Sequence, residues 1–226
     1  MRREYLNGTS GTGGGESEYL DWLRSIGCKF YCEFDSSHGT VDLITNTELE
    51  LTGYGSIFYN STYNAYDVTA PTSLNPVGYW NSNVNKSDFT YNNVFSVIGV
   101  IQKLNNKYLP KISFCSTGSA EQAGALNVLY NGTNNGNSYP SEVCYLGIRY
   151  DTLGGYRYYY QQGSLYNKYS LYNSFTPSNW NPSKPGFMLM YPYWSSTMEG
   201  ASVRFYKYGI FNTLISESDM NNILYH

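Results

Sequence analysis

Glu33 and Asp35 stand two residues apart in the run CKFYCEFD. Side chains two apart share one face of an extended strand, so the two carboxylates fall together, and a pair about 5.5 Å apart is what retaining glycoside hydrolysis needs. Ser36, Ser37 and His38 follow, with no further carboxylate to act as acid and base. Polar positions on the solvent side of a strand are therefore the favoured reading, and no catalytic residue is assigned. His38 and His226 are the histidines of the chain, too few for a nucleophile relay or a His-rich metal centre. GTGGG at residues 11–15 lacks the Lys-Ser/Thr ending of a phosphate cradle and reads as a linker.

Aromatic residues beside cations offer different chemistry. Sugars present apolar C–H faces that stack on Tyr and Trp, while their hydroxyls pair with Asn, Gln and Arg. In EVCYLGIRYD, alternation buries Cys144, Leu146, Ile148 and Tyr150 and turns Tyr145 and Arg149 outward. The next strand, GYRYYYQQ, is expected to set Arg157, Tyr159 and Gln161 beside them. Trp180 and Trp194, among Pro, Ser and Asn, are loop-borne stacking candidates. The competing reading, and the preferred one, is a tyrosine-coated sheet packed on a neighbouring subunit in a homo-oligomer, since Tyr and Arg are favoured at interfaces. No cofactor is expected. Asp42, Asp67 and Asp151 are the loop carboxylates available to Ca²⁺ through oxygen ligation, and no spacing singles one out.

The composition excludes several partners. Of 226 residues, 26 are Tyr and only 14% are charged, so solubility rests on hydroxyls and amides. A net charge of −3 leaves no basic stripe to neutralise phosphates, and nucleic acid is not expected as a partner. No run approaches the roughly 20 apolar residues of a membrane span. The stretch MRREYLNGTSGTGGG has no apolar signal segment. Ser25-Ile26-Gly27-Cys28 follows Glu16, Glu18, Asp21 and Arg24, which the apolar core of a lipoprotein leader would not carry. Synthesis in the cytoplasm without export by the usual route is expected. Cys28, Cys32, Cys115 and Cys144 match neither a zinc nor a redox spacing and read as buried thiols.

These residues need a scaffold to position them. Residues 1–27 read as a Gly-rich arm followed by a short helix. Arg2, Arg3, Tyr5 and Leu6 on the arm are assigned to attachment, and Tyr19, Leu20, Trp22, Leu23 and Ile26 recur at helical spacing until Gly27 stops them. Residues 28–226 then change to a period of two. In CKFYCEFD, Cys28, Phe30, Cys32 and Phe34 form a core face, with Lys29, Tyr31, Glu33 and Asp35 outward. Further strand runs are ELELTG, GSIFYN, NVFSVIGVIQKL, KISFCS, GALNVLYNG, EVCYLGIRYD, GYRYYYQQ, KYSLYNS, GFMLMYP and ASVRFYKYGIF, punctuated by Gly, Asn, Pro and Ser. Ser216-x-x-Asp219 resembles a capping box ahead of Met220, Ile223 and Leu224. Short strands at regular spacing predict one all-β domain built as a two-layer sandwich.

The order of these elements resembles the laminin-G-like, concanavalin A-like lectin superfamily. The resemblance is carried early by CKFYCEF, Val41-Asp42-Leu43-Ile44 and Leu49-Glu50-Leu51-Thr52-Gly53, and late by VRFYKYGIFNTLISESDMNNIL. Between them stand Val128-Leu129-Tyr130-Asn131-Gly132 and Tyr145-Leu146-Gly147-Ile148-Arg149. It covers residues 28–226 and implies an antiparallel jelly-roll sandwich. Laminarinase-type glycoside hydrolases share that fold, but their Glu-x-Asp-x-(x)-Glu array breaks off here after Glu33 and Asp35. The Tyr/Asn-rich style also resembles structural proteins of crAss-like phages of gut Bacteroidales. That second resemblance implies a non-enzymatic virion protein made in the host cytoplasm. It would be a head decoration, head fibre or tail-associated component that meets other capsid or tail proteins. A carbohydrate-binding module for host surface glycans is the alternative, and a laminarinase-type hydrolase the third reading.

Overall fold

The computed structural model describes residues 14–53, 56–69, 77–80, 94–104, 111–113, 126–127, 143–151, 154, 156–162, 164–170, 186–190 and 202–226. Helix α1 (Gly14–Ser25) leads into β1 (Cys28–Glu33), the short pair β2 (Val41–Asp42) and β3 (Thr47–Glu48), then β4 (Glu50–Gly53), β5 (Ile57–Asn60), β6 (Ala65–Val68) and β7 (Val77–Trp80). Next come β8 (Val94–Lys103), β9 (Lys111–Ser113), β10 (Leu126–Asn127), β11 (Val143–Asp151), β12 (Tyr156–Gln161), β13 (Ser164–Ser170), β14 (Gly186–Met190) and β15 (Val203–Phe211), before α2 (Glu217–Leu224). The arm residues Arg2, Arg3, Tyr5 and Leu6, together with Cys115, 128–132, Trp180 and Trp194, lie outside the described residues. No helix among those described is long and apolar enough to cross a membrane.

Among the described residues every strand pairing is antiparallel, and the two larger sheets form the two layers expected of a jelly-roll sandwich, with β2–β3 a separate pair. One sheet has eight strands among the described residues. It runs β13-β12-β11-β8-β15-β6-β5, and β1 shares the far edge of β15 with β6. β6 takes positions 203–205 of β15 and β1 takes positions 207–211. The other sheet runs β10-β9-β14-β7-β4, and its β10 lies against β8 and β11. Strands β2, β6 and β7 fall outside the strand runs legible in the sequence.

The eight-stranded sheet is buried on both faces at its centre. One face carries Phe30, Phe34, Phe95, Tyr150, Phe205 and Tyr208, with Phe95 stacked on Tyr150 at 4.3 Å between ring centroids. The other face carries Tyr31, Ile98, Val100 and Phe211, and both helices cover it through Leu23 of α1 and Met220, Ile223 and Leu224 of α2. This two-sided burial corrects the sequence expectation for β1. Tyr31, placed outward by alternation, is fully buried because α1 lies over it. Cys28 also changes side, because the register shift between Cys28 and Phe30 inserts one residue and moves Cys28 into the cluster beneath the helices. Cys28, Cys32 and Cys144 are buried, and burial pushes the Cys28 and Cys32 thiols well above their ordinary range.

Two glycines let the helices approach. A Cβ on Gly147 would collide with Met220 Sδ, so α2 packs over a hole in β11 that any side chain would fill. Gly27 takes φ +91° at the turn from α1 to β1, where a Cβ would lie 2.6 Å from Thr213 Cγ2. Ser216 is the N-cap of α2: its Oγ accepts from Asp219 N–H at 3.0 Å and donates to Asp219 Oδ2 at 2.6 Å, so the Asp219 carboxylate meets the hydroxyl of the cap. Ser96, buried under the same loop, donates to Thr213 O and accepts from Ile215 N–H. Helix α1 is thus built into the sandwich, and Leu23 belongs to its core.

Candidate functional site

The helix-covered face of the sheet is left partly open where it runs out to β11, β12 and β13. Four residues separate Asp151 from Tyr156, and this loop sets the hairpin register: Asp151 pairs with Tyr156, Arg149 with Tyr158 and Gly147 with Tyr160. Directly paired residues share a face. Tyr156, Tyr158 and Tyr160 therefore stand beside Arg149. The positions of Arg157 and Tyr159 register with Tyr150 and Ile148, on the opposite face, and that of Gln161 with Leu146. This differs by one residue from the sequence expectation, which grouped Arg157 and Tyr159 with Tyr145 and Arg149. The strand begins at Tyr156, one residue later than the run GYRYYYQQ, and with 152–155 closing the hairpin the odd positions of β11 meet even positions of β12.

Each member of this face has a defined contact. Arg149 Nη1 donates to Tyr160 OH at 2.9 Å, and its guanidinium carbon lies 5.5 Å from the Tyr158 ring centroid. Lys168 of β13 is paired with Tyr158, and its ammonium stands 3.7 Å from the Tyr156 centroid and 5.2 Å from that of Tyr158. Tyr156 and Lys168 are exposed, Tyr158 and Arg149 half-buried, and Tyr160 buried. Arg149 Nε is shielded from solvent and has no hydrogen-bond partner. An unmet buried donor costs roughly 1–3 kcal/mol, which marks the guanidinium as incompletely satisfied.

Other contacts close the flank. Tyr145 stacks on Tyr225 at 4.5 Å, so it is half covered by the end of α2. Gln162, at φ +49°, turns β12 into β13 and is held there by its side chain, which accepts from Tyr145 N–H and donates to Val143 O.

The paired carboxylates read from the sequence do converge, but on a histidine. His38 Nδ1 lies 3.0 Å from Asp35 Oδ1 and 3.8 Å from Glu33 Oε2, while Nε2 lies 3.2 Å from Glu16 Oε1 of α1. Tyr31 OH donates to Glu33 Oε1 at 2.7 Å, and Tyr19 OH is 3.3 Å from Tyr31 OH. Lys207 pairs with Glu33 across the strands. Burial holds its ammonium below the ordinary lysine range, against the opposing pull of Glu33 and Asp35. His226 stacks on Tyr19 at 4.2 Å, with its imidazole pKa lowered by burial and then by Lys207.

Ligand atoms of Glu33, Asp35 and His38 fall within 4.8 Å of one another, a donor set a divalent cation can use. However, Asp35 Oδ1 already accepts from the Ser37 and His38 amides at 2.8 Å, and a lysine stands beside Glu33. Both carboxylates are tied to one imidazole, so neither is set apart as a nucleophile. What the cluster visibly does is fasten α1 to the sheet through Glu16 and Tyr19.

The three carboxylates offered to calcium serve the fold. Asp42 Oδ1 accepts from the Tyr31 and Ile44 amides and Oδ2 from Thr45 Oγ1. Asp67 binds Arg204 through both oxygens and also accepts from Asn60. Asp151 caps the amide of Gly154. All three lie in strands, not in loops, and their oxygens meet N–H and O–H donors of the chain itself. Sequence reasoning did not single out the β5–β6 hairpin, where Phe58, Tyr59 and Tyr63 are 48%, 38% and 50% exposed; the run FYNSTY carried that signal.

No family model matches the chain, and no curated protein matches it. Solved structures do. The binding domain of botulinum neurotoxin DC in complex with SialylT is similar over 88% of this chain and 51% of its own, with TM-score 0.59 and 13% identity. The likeness is one of fold. The same domain in complex with rat synaptotagmin II matches with TM-score 0.58 and 12% identity, again over 88% and 51%. A third structure concerns entry of botulinum neurotoxin type C, described as dependent on interaction with two ganglioside molecules. It is similar over 90% of this chain and 52% of its own, with TM-score 0.59 and 14% identity. The chain spans about half the length of each of these structures.

Proposed function

We propose that this chain is a non-catalytic binding domain that recognises carbohydrate on the outer face of β11, β12 and β13. The observation that carries the reading is the array of Tyr156 and Tyr158 held between Arg149 and Lys168 on a rigid antiparallel sheet. Aromatic rings accept the C–H face of a sugar, and flanking cations meet its oxygens. Strand-borne side chains are held more tightly than loop-borne ones, which suits a preformed site. Two of the similar structures are described as binding domains, one of them in complex with SialylT, and a third concerns an interaction with two ganglioside molecules; this lends the reading support at the level of fold.

A second reading is favoured by the same exposed tyrosines. Tyr and Arg are enriched where subunits meet, and Leu165 on β13 is also exposed. In that reading the domain is a virion component, its N-terminal residues attach it, and the tyrosine face packs on another copy or another particle protein.

A glycan array with the full chain and its Tyr158→Ala variant separates the two. Loss of an aromatic anchor in a desolvated contact costs about 2 kcal/mol or more, roughly thirtyfold in affinity. Glycan binding that falls by that factor in the variant supports the first reading. Absence of glycan binding, together with a change of oligomeric state in the variant, supports the second.

A further inference from the structure

The β5–β6 hairpin, at the other end of the eight-stranded sheet from β13, presents an exposed aromatic surface of its own in Phe58, Tyr59 and Tyr63. β5 closes the strand order, and among the described residues no strand pairs with its outer edge. Phe58 pairs with Asp67 and Tyr59 with Tyr66, so the two rings lie on opposite faces of that edge. An edge with aromatic side chains on both faces suits an added extended segment, held by main-chain hydrogen bonds and by its alternating side chains.

The flank of the hairpin is acidic. Residues 14–69 hold nine carboxylates against the cations Arg24 and Lys29, and Glu48 is exposed. Burial raises the Tyr66 hydroxyl pKa, and Tyr59, Asp35 and Glu48 raise it further. Both carboxylates are thus in electrostatic reach of the Tyr59–Tyr66 pair, whose ring centroids are 5.5 Å apart.

Residues 1–13 join the fold beside this surface. Helix α1 starts at Gly14, and its Glu16 Oε1 lies 3.2 Å from His38 Nε2. Two positions before His38, the Ser36 amide donates to Asn64 Oδ1, which also accepts from Tyr59 OH. The first turn of α1 and the hairpin therefore hold one short loop between them. Leu6 precedes Gly14 by eight positions, a reach of up to about 28 Å, and so short a tether gives an effective concentration in the millimolar range. In MRREYL, Tyr5 and Leu6 fall on opposite sides of an extended chain, as Phe58 and Tyr59 do, and Arg3 shares the side of Tyr5. We propose that residues 2–6 dock as an added strand on β5 of their own chain, with Tyr5 against Tyr59, Leu6 against Phe58 and Arg3 towards Asp35 and Glu48.

Photocrosslinking of the full chain tests this, with p-benzoylphenylalanine in place of Tyr5 and an equal mixture of isotopically light and heavy chains. Crosslinks are expected to fall on residues 57–63 and to join peptides of like isotope. Their yield should drop about threefold or more in Arg3→Glu, recover when Glu48→Lys is added, and decline as salt is added. Phe58→Ser should lower the yield as well, and since Phe58 is exposed the unfolding midpoint should hold. Crosslinks centred away from the hairpin, or none, overturn the proposal. Light-to-heavy crosslinks at the hairpin overturn docking within one chain and assign the surface to the arm of a second copy. A yield indifferent to Arg3→Glu and to salt overturns the charge pairing.

Discussion

Replacing Asp67 by alanine is expected to destabilise the fold by about 3–5 kcal/mol, because it leaves the Arg204 guanidinium charged and buried without its partner. The pair is bidentate, with Nε to Oδ1 at 2.6 Å and Nη2 to Oδ2 at 2.9 Å, and both side chains are 6% exposed. Tyr63 closes it from above, its ring centroid 3.5 Å from the guanidinium carbon, and Gln102 takes Nη1. Burial alone would raise the Asp67 pKa, but the hydrogen bonds from Arg204 and Asn60 outweigh it and hold the carboxyl below its ordinary value. A carboxyl depressed in the folded state stabilises above its unfolded pKa, about 3.9, and that contribution is lost as pH falls through the folded value. Urea unfolding of wild type and Asp67→Asn between pH 7 and 2.5 should therefore show a shallower acid-side slope in the variant. Equal slopes would mean that the pair does not set the acid limit.

Phe211→Ala is expected to cost a similar amount, about 3–5 kcal/mol. Phe211 is fully buried at the end of β15, paired with Cys28 on one side and Ser96 on the other, in the cluster that joins α1, α2 and the sheet. Its removal leaves a cavity beneath both helices that the glycine-lined packing cannot close, since Met220 is already seated over Gly147. Chemical denaturation should show the loss, and near-ultraviolet circular dichroism should report a loosened Tyr19 and Trp22 on α1. A loss below about 1 kcal/mol would show that the helices are not part of the cooperative core.

These two sites show what the sequence disclosed and what it withheld. Alternation along EVCYLGIRYD placed Cys144, Leu146, Ile148 and Tyr150 inside, as found, because β11 presents one continuous face to the core. The Ser216 cap was legible because it depends on two residues only three positions apart. Tyr31 and Cys28 were misplaced for non-local reasons: a helix from outside the strand pattern covers one, and a bulge moves the other. Asp67 and Arg204 are 137 residues apart, and no local pattern announces such a pair. The candidate face was half legible. Arg149 and the tyrosine-rich β12 were visible as types, but the assignment of Tyr159 over Tyr158 turned on the hairpin register.

The most direct test of a carbohydrate face on β11–β13 is two-dimensional NMR of the labelled chain, titrated with the tightest-binding glycan from the array. The predicted result is shift changes concentrated in residues 147–151, 156–162 and 164–168, with Arg149 and Lys168 side-chain signals among them. Changes centred instead on Phe58, Tyr59 and Tyr63 of the β5–β6 hairpin, or on Glu33, Asp35 and His38, would contradict it.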